Sequence, residues 1–285
     1  MKRFLYPLSF LGPSVLLLAA FVYLPLIVTF EYSLQHYKLT EPGQDSFVGL
    51  LNYLYLLSDK AFQMTLLNNA FILLFVLAVG LVLSIIMGLV LNKKNILTPL
   101  LTALIIIPWA LPPLINGIIW KFIFFPGYGF LNKLLLLTGI IDEPIAWTSS
   151  RLGILVVVSL AVVWRSVPFG AVLVLANLQH IPQEYYDAFY MDGGSPWQAF
   201  RRITLPLIAP SLAIIVVTFL STAVSVFDEI IALSGYRFES QSLEVYTYMT
   251  TFNFLDFGTG SAVSYIAMLL SGIIGYFYIR YMKIR

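Results

Sequence analysis

The chain has 285 residues, 60% of them hydrophobic and only 11% charged, with a net charge of +2. A soluble domain carries roughly a quarter of its residues as charges, so a water-exposed globule is excluded, and the near-neutral balance gives no basis for nucleic-acid binding. The absence of cysteine excludes disulfides and thiolate metal sites, and only two histidines are present, His36 and His180.

The charges come in clumps. None falls in residues 4–30, 61–92, 95–120, 203–227 or 257–279, and residues 152–183 contain only Arg165. Each stretch supplies the about 20 apolar residues that cross a hydrocarbon core. A helix satisfies its own backbone within such a span, and the alternation of barrel strands is missing. The sequence therefore predicts an all-α integral membrane protein forming one domain over 1–285. Its six transmembrane helices lie near 8–30, 69–91, 98–120, 152–177, 207–227 and 259–281.

In chain order, the first span follows Lys2-Arg3 like a signal peptide. Its apolar run is too long for one, contains Pro13 and Pro25, and offers no small-residue cleavage site, so it is expected to be retained. Residues 31–65 form an outer loop. Pro108, Pro112 and Pro113 interrupt the third span, which a kink beside a translocation path or a purely packing kink explains equally. Residues 121–150 form a second outer loop with Pro126-Gly127-Tyr128-Gly129 turn chemistry.

Basic residues orient the chain. Lys2, Arg3, Lys93, Lys94, Arg201, Arg202, Arg280, Lys283 and Arg285 fall on one side, against Lys38, Lys60, Lys121, Lys133, Arg151 and Arg237 on the other. Both termini and the 178–206 segment are thus expected to be cytoplasmic. The two histidines then lie on opposite sides of the membrane, which removes a His-based metal centre.

Residues 178–206 are the sizeable polar segment on the inner side. Pro182 suits the first turn of a helix to about Met191, with Glu184 and Asp187 at its positive end. Asp192-Gly193-Gly194 is a turn. Ser195-Pro196 restarts a second helix as N-cap and first residue, Arg201 and Arg202 suit its C-terminal end, and Pro206 opens the fifth span. Tyr185, Tyr186, Phe189, Tyr190, Trp197 and Phe200 become exposed aromatic material. An amphipathic pair lying on the headgroups and a docking element for another protein both fit.

Arg165 is the one charge inside a span, where ionisable groups face a cavity or a partner. Asp228 and Glu229 are its candidate acids. A structural ion pair, bonding to loop carbonyls and direct solute contact are all open. Asn116, Trp120, Trp164 and Tyr265 are further candidates for a solute path, since saccharides stack on aromatics and need amide or carboxylate partners. Aromatics at span ends also serve as interface anchors. A single intramembrane cation favours a neutral solute over a phosphate ester.

The 178–206 segment resembles the cytoplasmic loop of bacterial ABC-importer permeases, which reads E-A-A, three residues, G, nine residues, I-x-L-P. Asp187-Ala188-Phe189, Gly193 and Ile203-Thr204-Leu205-Pro206 fit that spacing without a gap. Trp164-Arg165-Ser166-Val167-Pro168-Phe169 and Ile181-Pro182 are similar to the W-[KR]-x-x-P-F and I-P flanks of the sugar-type branch, which includes the maltose-transporter permeases. Asp187 replaces the family glutamate, and Phe189 replaces the second alanine, adding bulk that a partner's cleft must accept. Leu233-Ser234-Gly235-Tyr236 stands where T-x-G-G-P is common, which puts the substrate subgroup in question.

The resemblance implies a type I importer permease in the prokaryotic inner membrane, importing a sugar or, alternatively, a solute such as glycerol 3-phosphate. It implies a coupling loop carried by Glu184, Tyr185, Asp187, Ala188, Phe189, Asp192, Gly193, Trp197, Ile203, Leu205 and Pro206. It also implies two separate ATP-binding subunits holding ATP and magnesium, a second permease forming a heterodimer, and an extracytoplasmic solute-binding protein. No Gly-Lys dipeptide occurs, so the chain has no P-loop and is not itself the ATPase. A proton- or sodium-coupled transporter would need several acids inside spans, and none is clearly buried. An intramembrane enzyme would need a His, Asp or Glu cluster that the histidines do not supply.

Overall fold

In the computed structural model, residues 11–93 and 95–282 are described. Residues 8–10 of the first expected span, and Lys2, Arg3, Lys94, Lys283 and Arg285 of the charge count, lie outside them. Among the described residues the chain is mainly helical, with a two-residue antiparallel pair, β1 (Gln35–His36) with β2 (Ser46–Phe47), and an isolated bridge between Lys38 and Asp256.

Among the described residues, four helices are long and apolar enough to cross a membrane: α1 (Leu11–Ser33), α3 (Lys60–Leu91), α7 (Arg151–Leu178) and α9 (Pro196–Val224). A fifth crossing would be the pair α4 (Thr98–Ala110) and α5 (Pro113–Ile123), bent by 101° at their junction. The last helix, α12 (Phe257–Met282), carries a shorter apolar stretch over Phe257–Ile273. Short helices fill the expected loops: α2 (Leu51–Ser58), α6 (Phe130–Leu137), α8 (Gln183–Met191), α10 (Asp228–Ser234) and α11 (Leu243–Tyr248).

The chain divides into two compact units. The first comprises 1–63 and 246–269. In it, Asn52 Nδ2 donates to the carbonyls of Ser33 (2.9 Å) and Gln35 (2.8 Å), tying α2 to the end of α1. Asp256 caps α12 by accepting from Thr259 N and Oγ1, both at 2.9 Å. Glu41 accepts from Lys38 Nζ at 2.8 Å, with His36 Nε2 at 3.1 Å. The Lys38 hydrogen bond, and next the one from His36, holds the Glu41 carboxyl below its ordinary value.

The second unit, 64–245 with 270–285, is built around α7. Its apolar window is 61% buried, against 22% for α3 and 28% for α9. Small residues let the neighbours approach, as membrane helices without a hydrophobic driving force require. A Cβ on Gly88 of α3 would meet Val174 Cγ1 of α7 at 2.5 Å and the Ala171 carbonyl oxygen at 3.2 Å, and one on Gly170 would strike Ser84.

Three sequence expectations change. The third span does not merely kink. Leu111, restricted by the proline after it, is extended (φ −75°, ψ 137°), Pro112 follows at ψ 142°, and Pro113 starts α5. Pro206 does not open the fifth span, because α9 runs unbroken from Pro196 through a π-helical turn at Phe200–Thr204. Arg201 and Arg202 therefore sit on that turn inside a longer helix. Finally, Pro182 is the N-cap of α8 and Gln183 its first residue.

Candidate functional site

Helix α8 ends in a Schellman motif. Gly194 N–H donates to the Phe189 carbonyl and Gly193 N–H to that of Tyr190, both at 3.0 Å. Gly193 has φ +82° with nothing within 4 Å of an added Cβ, so its role is conformational. Gly194 has the opposite reason: a Cβ there would strike the Phe189 ring. Ser195 then caps α9 in a capping box, its Oγ accepting from Gln198 N and its N–H donating to Gln198 Oε1.

This geometry corrects the reading of the loop aromatics. Phe189 is half-buried over Gly194, so its bulk is absorbed inside the loop rather than offered to a partner. Tyr186 is half-buried, its hydroxyl 2.9 Å from Oγ1 of buried Thr204. Phe200 is half-buried and stacks on Trp197 with centroids 5.5 Å apart. What remains exposed is Tyr185, Tyr190, Met191 and Trp197, beside the exposed Glu184, Asp187, Ala188, Asp192 and Gly193. Ile203 and Leu205 are half-buried on α9 and Pro206 is exposed. Asp187 is held by Gln183 Nε2 at 3.2 Å along one face of α8.

A second constellation lies at the middle of α7. Arg165 Nε donates to Glu229 Oε1 at 3.1 Å, the arginine side chain being 19% and the glutamate 2% exposed. Glu229 sits on α10, which packs tightly on α5: a Cβ on Gly117 would meet Ala232 Cβ at 2.6 Å and Glu229 Cα at 3.0 Å. The expectation of no buried acid is thus overturned, although this acid's charge is matched. Asp228 is the acid that Arg165 does not engage.

A cavity of about 260 Å³ opens on the pair, lined also by Asp228, Ser221, Thr222 and Ser225. Thr222 and Ser225 spend their hydroxyl protons on the carbonyls of Thr218 and Ser221, leaving oxygens to accept. Among the described residues, Glu229 is the one hydrogen-bond partner of Arg165. The lining therefore mixes donors and acceptors with no net cation, which suits a ligand bearing hydroxyls.

The other candidates disperse. Trp120 and Trp164 meet edge to face (6.2 Å) and line a separate apolar cavity of about 410 Å³ between the bent pair and α7. Asn116 is fully buried and donates to the Ala161 carbonyl at 3.0 Å, while its Oδ1 and Trp120 Nε1 have no hydrogen-bond partner among the described residues. Tyr265 belongs to the other unit, where its hydroxyl donates to the Leu26 carbonyl at 2.6 Å.

The sequence reading missed Asn68 and Asn69. Asn69 Nδ2 donates to the carbonyls of Ala223 and Val224 (3.2 Å each) and its Oδ1 accepts from Leu243 N (2.7 Å). Asn68 Nδ2 bonds the carbonyls of Glu239 and Gln241, and its Oδ1 takes Arg151 Nε at 2.8 Å. The signal was present: two adjacent amides beginning an apolar span act as polar glue between helices.

Residues 80–284 match the family model of binding-protein-dependent transport system inner membrane components. The chain is 32% identical over 262 residues to the trehalose/maltose transport system permease protein MalF of Thermococcus litoralis, covering 90% of this chain and 87% of that one. It is 31% identical over 266 residues to the inner membrane ABC transporter permease protein YcjO of Escherichia coli, covering 93% and 90%. In structure it is similar to a chain of a bacterial alginate ABC transporter solved in complex with an alginate pentasaccharide-bound periplasmic protein. There the TM-score is 0.82 at 19% identity, over 97% of this chain and 93% of that one.

Proposed function

The chain belongs to the binding-protein-dependent transport system inner membrane components, and we propose that it forms half of the membrane pathway through which an ABC importer takes up a saccharide. It is a multi-pass membrane permease, a transport subunit. The observation that carries the mechanistic reading is the ordered 182–206 loop. It holds Tyr185 exposed beside Glu184, Asp187 and Asp192 on a framework fixed by a Schellman turn and a capping box. Buried aromatics dominate interface energetics, and such a surface is suited to a cleft on a separate ATPase. The chain lacks a P-loop, so ATP and magnesium belong to two partner subunits.

Six crossings with both termini cytoplasmic complete this reading. The bent pair α4–α5 serves as the third crossing and α12 as the sixth, all within one permease domain. A second permease supplies the other half of the pathway, and an extracytoplasmic binding protein delivers the solute.

For the solute, the relative that transports trehalose and maltose and the Arg165–Glu229 cavity point the same way. A phosphate ester needs an uncompensated cation, whereas Arg165 is neutralised by Glu229. Hydroxyls of a neutral saccharide find acceptors at Thr222, Ser225 and Asp228. The test is affinity purification of the tagged chain from native membranes, with mass spectrometry of its companions and sugar uptake in proteoliposomes. A P-loop ATPase and a second permease should co-purify, and Asp187→Lys should release the ATPase while the chain stays inserted. Solute movement by the isolated chain without ATP would refute the reading.

A further inference from the structure

A groove of about 900 Å³ lies between α3 and the coupling loop. Val82, Ile86, Leu89 and Lys93 form one wall; their spacing places them on one helix face. Tyr186, Tyr190 and Trp197 form the other. From Leu89 the apolar wall descends about 10 Å to Val82 at 1.5 Å per residue, along a helix apolar enough to span the membrane. None of the lining side chains among the described residues is a carboxylate. The occupant that fits has an anionic head for Lys93, an aromatic belt at headgroup level and an apolar stem reaching into the hydrocarbon. A soluble ATPase subunit has no such stem.

We propose that this groove binds one acidic phospholipid of the leaflet on the coupling-loop side, its chain packed under Tyr186 and Tyr190. The lipid then forms part of the bed on which α8 rests, and the coupling loop senses the charge of the bilayer. The inference rests on the membrane placement of α3, not on the transported solute.

Native mass spectrometry of the complete transporter, delipidated and then offered phosphatidylglycerol or phosphatidylcholine, reads this without any transport assay. Phosphatidylglycerol should be retained preferentially. Lys93→Gln, a conservative surface change, should weaken that preference about five-fold, the worth of one lysine beside an anionic headgroup. Ile86→Trp, which fills the groove, should abolish retention of both lipids at this site. Equal retention of the two lipids by the wild type, or an unchanged preference in Lys93→Gln, would overturn the proposal. So would a photocrosslinker at Leu89 that captures a membrane helix of another subunit instead of lipid.

Discussion

Gly193 separates two ways in which a loop glycine can matter. If it is required by backbone conformation, a side chain costs what the left-handed region costs, about 1–2 kcal/mol for an ordinary residue. The open space around its Cβ position adds no steric term. Gly193→Ala should therefore lower the population of the ordered loop about five- to thirty-fold relative to its open forms. Gly193→Asn should lose far less, because asparagine tolerates positive φ and closes helices this way. The assay is hydrogen exchange over residues 183–199 in the assembled transporter, read beside ATP-coupled uptake. Protection of the loop from exchange and ATP-coupled uptake should both fall in the order glycine, asparagine, alanine. If asparagine is as harmful as alanine or worse while exchange is unchanged, a partner surface reads this position and the conformational argument fails.

The ion pair makes a second prediction. Removing either Arg165 or Glu229 alone leaves a buried charge unmatched, at about 3–5 kcal/mol, whereas Arg165→Met with Glu229→Leu should recover much of that stability in detergent unfolding. Additive losses in the double variant would show that the two charges are not coupled. Gly117→Val should be among the most damaging single changes in the second unit, since it pushes α10 and Glu229 away from α5; wild-type stability and uptake would contradict the packing described. Glu41 sets a pH dependence in the segment between α1 and α2. Its lowered folded pKa means that its contribution is complete above the ordinary glutamate value of about 4.3 and is lost as pH falls through the lower folded value. Hydrogen exchange over residues 35–47, corrected for intrinsic rates, should rise on acidification in the wild type and be pH-insensitive in Glu41→Gln; identical profiles would remove the role assigned to Lys38 and His36.

The apolar stretches were legible because an absence of charge over twenty residues has few physical explanations. The Ser195 cap and the Gly193 turn were legible for the same reason, each being a residue with few alternative uses, whereas Arg165 pointed to an acid without separating Glu229 from Asp228. What escaped notice depended on three-dimensional partners that composition and spacing do not name. Asn69 acquires its role from carbonyls more than 150 residues away, and Phe189 turns inward only because Gly194 leaves room for its ring. The steepness of the bend between α4 and α5 also exceeded what three prolines indicate locally. Pro206 misled most: proline commonly begins a helix, but its missing N–H is tolerated here because the preceding turn is already π-helical.

The unbroken α9 has a mechanical consequence. Its 29 residues make a strut about 43 Å long, with the coupling surface at one end and the Val224 carbonyl, gripped by Asn69, at the other. If the loop couples to an ATPase as proposed, a push on Trp197 meets no flexible linker before the Val224 end of the shaft. Two features interrupt the regular ladder of that shaft, the wide turn at Phe200–Thr204 and Pro210, so stiffening either should sharpen the transmission of force and loosening it should blunt it.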